Sequence, residues 1–141
     1  MVLLLVAPKG VYKNWYEGEI PTHMVDHIEK KVVLWETSKS SRPEKIKELN
    51  TLFDTGTDFH ILVMNVEAFS YPKATEFARR FLSSHKAMMA IDESTTIKTP
   101  TANRTKNIMK LKPLAKYRRI LTGSPITNSP LDLFSQAVFF R

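Results

Sequence analysis

Short apolar runs alternate with amphipathic stretches along the 141-residue chain. Most of the runs are continuous, without clean alternation of apolar and polar positions, which is typical of strands buried on both faces of a parallel sheet. Stretches with helical spacing lie between them, and repeated strand–helix alternation predicts an α/β domain. The predicted strands are Val2–Ala7, Val32–Trp35, Phe59–Val66, Ala87–Ile91 and Arg119–Leu121.

Four helices are predicted, one after each of the second to fifth strands. A capping box running from Ser41 to Glu44 begins the first, and its expected apolar stripe consists of Ile46, Leu49 and Phe53. The second has the most regular stripe, formed by Ala74, Phe77, Ala78, Phe81 and Leu82. A third is expected around residues 101–112, and Ser129 with Pro130 begins the last.

The charge of the chain is unevenly distributed. Lys and Arg number 21 against 14 acidic residues, which gives a net charge of +7. Residues 1–70 hold 8 basic and 10 acidic side chains, whereas residues 71–141 hold 13 and 4. Between Lys98 and Arg119 there are eight basic residues and no acid, and a basic helix from Arg104 to Arg119 is expected. Such a field attracts polyanions, so nucleic acid is a candidate partner, and a solvated basic face is the alternative.

Composition excludes several classes of site. The chain has no cysteine, so disulfides, thiolate metal sites and cysteine nucleophiles are excluded. No apolar run approaches the ~18 residues that a membrane span needs. The apolar start has no basic leader and no small-residue cleavage site. A cytoplasmic location, with no membrane partner, is therefore expected; the cytosol of a phage host or of a bacterium would fit.

Polar groups follow the predicted strands, at the edge where open parallel sheets bind ligands. Asp92 and Glu93 end the fourth apolar run. Asp92 could hold magnesium, and Glu93 could orient or deprotonate an attacking water in phosphoryl transfer. Thirty residues further on, Thr122 and Ser124 could hydrogen-bond this acidic pair and sense a γ-phosphate. The alternatives are a solvated acidic turn and a plain strand–turn–helix connection.

Taken together and in this order, the motifs resemble the first RecA-like lobe of superfamily-two helicases, and most closely the Swi/Snf-related DNA translocases. Segment 3–8 (LLLVAP), with Asn14 and Trp15 after it, resembles motif Ia. Segment 61–67 (ILVMNVE) resembles motif Ib, and segment 90–95 (AIDEST) resembles the Walker B box, a variant of the DEAD/DEAH box. Segment 118–128 (RRILTGSPITN) is similar to motif III.

The resemblance implies a RecA-like, mainly parallel sheet with helices on both faces, and residues 1–141 as a partial ATP-binding lobe spanning motifs Ia to III. ATP and Mg²⁺ are the implied cofactors, and duplex DNA is the implied polymer. The implied catalytic residues are Asp92, which would bind the metal, and Glu93, which would position the water. Coupling of nucleotide state to movement would involve Ser94, Thr95, Thr122, Gly123 and Ser124. Contacts to the nucleic-acid backbone would come from Pro8, Lys9, Asn65, Lys98 and Arg104.

The sequence also departs from the family pattern. None of its four glycines begins the phosphate loop G-x-x-x-x-G-K-[ST]. The P-loop strand and the second RecA-like lobe are therefore expected elsewhere, in cis or on a companion chain, and this chain alone is expected to be inactive. The alternative function is a nucleic-acid-binding or scaffold protein that kept the fold and lost hydrolysis.

Two weaker patterns have structural explanations. His23 and His27 lie on one helical face at a spacing that can bind zinc, but without a third ligand they are interpreted as surface histidines. Trp15, Tyr16 and Trp35 could stack on bases, although packing is the favoured interpretation.

Overall fold

Five parallel strands form one sheet in the part of the chain that the structure describes. The computed structural model of the chain describes residues 1–23, 29–54, 59–92 and 103–121. The strands are β1 (Val2–Ala7), β2 (Lys30–Leu34), β3 (Phe59–Asn65), β4 (Ala87–Asp92) and β5 (Tyr117–Leu121), in the spatial order β2-β3-β1-β4-β5. The predicted α/β fold with a parallel sheet is confirmed, and each strand lies within two residues of its predicted start and end.

Helical segments connect the strands. Their bounds are α1 (Tyr12–Asn14), a π-helix (Trp15–Glu19), α2 (Ile20–His23), α3 (Pro43–Asn50), α4 (Pro72–Ser84) and α5 (Asn103–Leu111). Short 3-10 turns cover Thr37–Lys39, Thr51–Phe53, Val66–Ser70 and Lys112–Leu114. Among the described residues, no helix is both long and apolar enough to cross a membrane.

The sheet has a separate apolar core on each face. All six residues of β1 are buried, and alternate residues point to opposite sides of the sheet. Val2, Leu4 and Val6 belong to the core that includes residues of α3, α4 and α5. Leu3, Leu5 and Ala7 belong to the other core, with Trp15 and its neighbours in the segment 12–23. Burial on both sides explains why the strand reads as one continuous apolar run.

Two expectations about α3 are wrong. The capping box is not formed, because Arg42 is the N-cap residue and no side chain caps the helix; Ser41 instead accepts a hydrogen bond from Lys73. Ile46 is 43% exposed, whereas Lys45 is buried. The Lys45 ammonium lies 3.7 Å from carboxylate oxygens of both Glu36 and Glu48, which compensates its burial.

The expected basic helix from Arg104 to Arg119 is also wrong. Helix α5 ends at Leu111, and the following turn contains Pro113, which lacks a backbone N–H. The last two basic residues of the stretch, Arg118 and Arg119, lie in β5 and are exposed. The basic side chains are thus divided among a helix, a turn and a strand. The stripe predicted for α4 is confirmed, since Ala74, Ala78, Phe81 and Leu82 are buried there.

Candidate functional site

The carboxyl ends of the three central strands lie side by side. In the sheet register Ala7 of β1 is opposite Asn65 of β3, and Val6 is opposite Ile91 of β4. Asp92, the last residue of β4, is opposite Leu121 of β5. The parallel order therefore brings Asn65, the start of the loop after β1, and Asp92 to one edge, as expected for a ligand site in an open sheet.

A cleft of about 530 Å³ lies at this edge, above the ends of β1, β2 and β3. The lysines come from the loop after β1 and from α1, the acids follow β2 and β3, and an exposed tyrosine follows the 3-10 turn 66–70. The lining residues are Lys9, Tyr12, Lys13, Glu36, Thr37, Ser38, Asn65, Glu67, Ala68 and Tyr71. We call this the basic cleft.

The two acids of the basic cleft form ion pairs with cations outside it, whereas its two lysines have no ion-pair partner among the described residues. The Glu36 carboxylate lies 3.4 Å from Lys39 and 3.7 Å from Lys45. The Glu67 carboxylate lies 3.9 Å from Arg104. Within the described ranges, neither Lys9 nor Lys13 forms an ion pair, and both are exposed. The cleft can thus offer two cationic side chains to a polyanion.

Asn65 has a structural role at the rim of the cleft. Its side-chain oxygen accepts a hydrogen bond of 2.8 Å from the Ala68 backbone N–H and caps the 3-10 turn 66–70. The residue is 7% exposed. The side-chain oxygen of Asn65, a predicted nucleic-acid contact, is therefore already engaged with the local backbone.

Asp92 is fully buried where β4 ends. Alternation along β4 places it on the same side as Met88 and Ala90, which belong to the core that contains Trp15. The Trp15 indole Nε1–H donates a 3.0 Å hydrogen bond to Asp92 Oδ2. Burying a carboxylate is costly unless donors compensate it, and the indole N–H is one such donor.

The Asp92 carboxylate fits the chemistry of a magnesium ligand. Oxygen donors from one or two carboxylates, together with waters and substrate phosphates, are the ligands that Mg²⁺ prefers. Strand β4 holds this carboxylate at the ligand edge of the sheet. In the sheet, β4 is adjacent to β1, and β3 lies on the other side of β1. Within the described ranges, no group of three or more His, Asp or Glu side chains gathers as a metal site, so Asp92 is not part of such a group.

The comparison with known proteins adds the decisive observation. Residues 2–141 match the family of SNF2-related domains. The chain belongs to the SNF2-related domain family.

The chain is also similar in sequence to individual proteins. The chain is 28% identical over 134 residues to "Chromatin-remodeling ATPase INO80" of Schizosaccharomyces pombe, covering 94% of this chain and 8% of that protein. It is 25% identical over 138 residues to "Helicase-like transcription factor" of Mus musculus, covering 98% of this chain and 13% of that protein. The Homo sapiens protein of the same name is also 25% identical, with 12% of its length covered. The chain thus spans about a tenth of these relatives.

This membership confirms the resemblance and the RecA-like α/β arrangement, and it places the chain in a family of ATP-dependent motors. The roles of individual residues remain predictions. Glu93, Ser94, Thr95 and Lys98 lie outside the described residues, as do Thr122, Gly123 and Ser124. The same holds for His27 of the histidine pair, the opening of the helix predicted at 101–112, and the last predicted helix.

The described residues that are predicted to contact nucleic acid lie in or beside the basic cleft of this SNF2-related domain. The Pro8 carbonyl accepts hydrogen bonds from the backbone of Val11 and Tyr12, which fixes the loop that presents Lys9. Helix α5 contacts the other rim, where Asn107 donates a 2.6 Å hydrogen bond to the Phe69 carbonyl and Arg104 approaches Glu67. Packing was the favoured interpretation for the tryptophans, and it is confirmed by their burial.

Sequence reasoning missed two residues of the site, Lys13 and Tyr71, and one hydrogen bond, between Trp15 and Asp92. Lys13 lies four positions after Lys9, and a count of basic residues around motif Ia would have found it. Tyr71 is 56% exposed at the cleft, but nothing in the sequence distinguishes it from a buried tyrosine. The Trp15–Asp92 hydrogen bond joins residues 77 positions apart, so no local pattern could indicate it.

Proposed function

We propose that residues 1–141 form the motif Ia to III part of the ATP-binding lobe of a Swi/Snf-like motor that couples ATP hydrolysis to movement on DNA. The observation that supports this most is the placement of Asp92, which is fully buried at the ligand edge and adjacent to the strand that leads into the basic cleft. A metal-binding carboxylate and a polyanion surface on neighbouring strands are what such a motor requires.

Asp92 is proposed to hold Mg²⁺ together with ATP, and Glu93 to position the hydrolytic water. When bound, Mg²⁺ neutralises charge that develops on the phosphates during phosphoryl transfer. Strand β4 fixes the backbone of Asp92, and the Trp15 indole fixes one oxygen of its carboxylate. Ser94, Thr95, Thr122, Gly123 and Ser124 are proposed to couple the nucleotide state to movement.

The basic cleft is proposed to contact the backbone of duplex DNA. Lys9 and Lys13 would pair with phosphates, and Pro8, Asn65, Lys98 and Arg104 would extend this contact. Charge contacts to phosphate do not read sequence, which suits movement along arbitrary DNA. Among the described residues the two lysines are exposed and form no ion pair, which supports this assignment, because their binding to phosphate would break no such pair.

The phosphate loop and the second RecA-like lobe are proposed to come from a segment in cis or from a companion chain. Without the loop, the backbone amides and the lysine that hold the β- and γ-phosphates are missing. Accordingly, residues 1–141 alone bind DNA without hydrolysing ATP.

The test measures two quantities on the 141-residue chain: binding of a fluorescein-labelled duplex by anisotropy, and ATP hydrolysis with and without that duplex. Glu93→Gln is the matched control, since it removes the proposed base and changes little in size. We expect salt-sensitive duplex binding and no turnover above that of Glu93→Gln. DNA-stimulated hydrolysis that Glu93→Gln abolishes would contradict the expected inactivity. Absent duplex binding at low salt would contradict the DNA contact and make the basic surface a solvated or interdomain face.

A further inference from the structure

The hydrogen bond between Trp15 and Asp92 connects two parts of the site that are distant in sequence. Both residues are fully buried, and the donor–acceptor distance is 3.0 Å. An indole N–H can only donate, so the Trp15 nitrogen serves the Asp92 carboxylate and accepts neither a proton nor a metal ion. Any displacement of the indole must therefore change the hydrogen bonding of Asp92 Oδ2.

Trp15 also belongs to the segment that forms one wall of the basic cleft. Lys9, Tyr12 and Lys13 line the cleft, and Trp15 follows two residues after Lys13. Hydrogen bonds from Val11 and Tyr12 to the Pro8 carbonyl, and from Asn14 to the Val11 carbonyl, tie this stretch into one rigid turn. A phosphate that draws the two lysines together acts on the same turn that carries the indole.

The helical geometry changes at Trp15. Residues Trp15–Glu19 form a π-helix, in which the Ile20 backbone N–H donates to the Trp15 carbonyl. Such wide turns are rare and occur frequently at functional sites. Here the wide turn begins at the residue whose indole reaches Asp92.

We propose that Trp15 is a positioning residue, whose indole N–H orients the Asp92 carboxylate and transmits polyanion binding in the basic cleft to it. The inference rests on the proposed function, because that function supplies the DNA in the cleft and the role of Asp92. Trp15 touches neither ligand and acts through its hydrogen bond. Free-energy coupling of this kind is reciprocal, so a change at Asp92 also alters the state of the cleft segment.

The experiment follows the indole N–H signals of the ¹⁵N-labelled 141-residue chain by NMR while a duplex oligonucleotide is added. The chain has two tryptophans, so two indole signals are present. Trp35→Phe leaves only the Trp15 signal and assigns it even if Trp15→Phe does not fold. Anisotropy measures duplex binding in the same samples.

We expect the Trp15 signal to shift with the same saturation curve as duplex binding. The shift should be lost in Lys9→Ala/Lys13→Ala and retained in Lys47→Ala/Lys86→Ala, which removes the same charge from exposed positions outside the cleft. In Asp92→Asn, which replaces the carboxylate by a weaker acceptor, the free signal should start at a different position and the duplex-induced shift should shrink while the chain still binds the duplex.

A duplex that binds through Lys9 and Lys13 but leaves the Trp15 signal unmoved would overturn the inference and leave the proposed DNA contact intact. A Trp15 signal that is the same in Asp92→Asn as in the wild-type chain would overturn it as well, because the hydrogen bond would then be absent in solution. Absence of duplex binding by anisotropy would instead identify a failure of the proposed function, and the inference would fall with it.

Discussion

Each face of the sheet carries one buried tryptophan, and the two have different surroundings. On the face covered by α3, α4 and α5, Trp35 packs against Phe77 with ring centroids 5.5 Å apart, and its indole donates to the Thr37 hydroxyl two residues away. On the other face, the Trp15 indole donates to a carboxylate 77 residues away. The first contact is local and neutral, whereas the second joins the segment after β1 to a buried acid at the end of β4.

This difference separates the tasks of the two faces. The face of Trp35 supplies packing through aromatic and aliphatic side chains, and the hydrogen bond of the Trp35 indole there is short-range. The face of Trp15 combines packing with the candidate chemistry, because the segment that covers it also lines the basic cleft. Substitutions in the interior of the first face, such as at Leu49, should therefore lower stability alone, and those around Trp15 should affect stability and ligand response together.

The largest expected effect is on the first face. Leu49→Ala should lower the free energy of unfolding by about 2–5 kcal/mol, because the side chain is 4% exposed and its removal leaves a cavity. Ile46→Ala, one turn earlier in the same helix and 43% exposed, should cost about 0.5 kcal/mol or less. Urea unfolding measures both. Equal losses would contradict the finding that Ile46 faces outward.

The two tryptophans allow a direct comparison of the faces. Trp15→Phe should cost about 1–3 kcal/mol for the hydrogen bond that the buried Asp92 carboxylate loses. Trp35→Phe should cost about 0.5–1.5 kcal/mol for its hydrogen bond, because the exposed Thr37 hydroxyl can turn to water instead. Both variants lose the same ring volume, so denaturant unfolding of the pair isolates the donor. A larger loss for Trp35→Phe would reverse the comparison.

A smaller effect concerns His60, which is buried near the amino end of β3. Burial lowers the pKa of its imidazole, so the folded chain binds the proton less readily than the unfolded chain. Stability is therefore greatest above the ordinary histidine pKa of about 6.5 and falls as the pH drops below it. Unfolding measured from pH 7.5 to 5 should show this fall, and His60→Leu should reduce it.

The charge of the exposed His85 also lowers the pKa of His60, so His85→Gln should reduce the acid-induced fall in stability only in part. A profile that is the same in the wild-type chain and in His60→Leu would mean that other groups cause the acid sensitivity. In either case the duplex binding of the chain at neutral pH should be unaffected, since His60 lies at the end of β3 away from the basic cleft.

The strands and α4 could be predicted because the local pattern of apolar residues reflects which of their residues are buried. Strands covered on both faces appear as unbroken apolar runs, and a helix covered on one face appears as a regular stripe. Helix α3 shows the limit of such patterns. Lys45 turns inward because it pairs with Glu36 and Glu48, and Ile46 then points outward. Residue spacing alone cannot reveal that Lys45 is buried in place of Ile46, because Glu36 lies outside the helix.

The candidate site, too, was predicted from the sequence only in part. Asp92 was found because it ends an apolar run, and Asn65 through the resemblance of segment 61–67 to motif Ib; the parallel strands bring both to one edge. Trp15 was recognised as a packing residue, but its hydrogen bond depends on the order β1-β4 and on a π-helix that the sequence does not indicate. Long-range polar contacts of this kind arise only when the sheet is assembled.

The most direct test of the central claim is the salt dependence of duplex binding by the chain. For the wild-type chain, log K should fall linearly with log salt concentration, and for Lys9→Ala/Lys13→Ala the slope should be less steep by about 1.8, since each lost phosphate contact removes about 0.9. The charge-matched Lys47→Ala/Lys86→Ala should keep the wild-type slope. If both double variants reduced the slope equally, binding would reflect net charge alone, and the basic cleft would not be the DNA site.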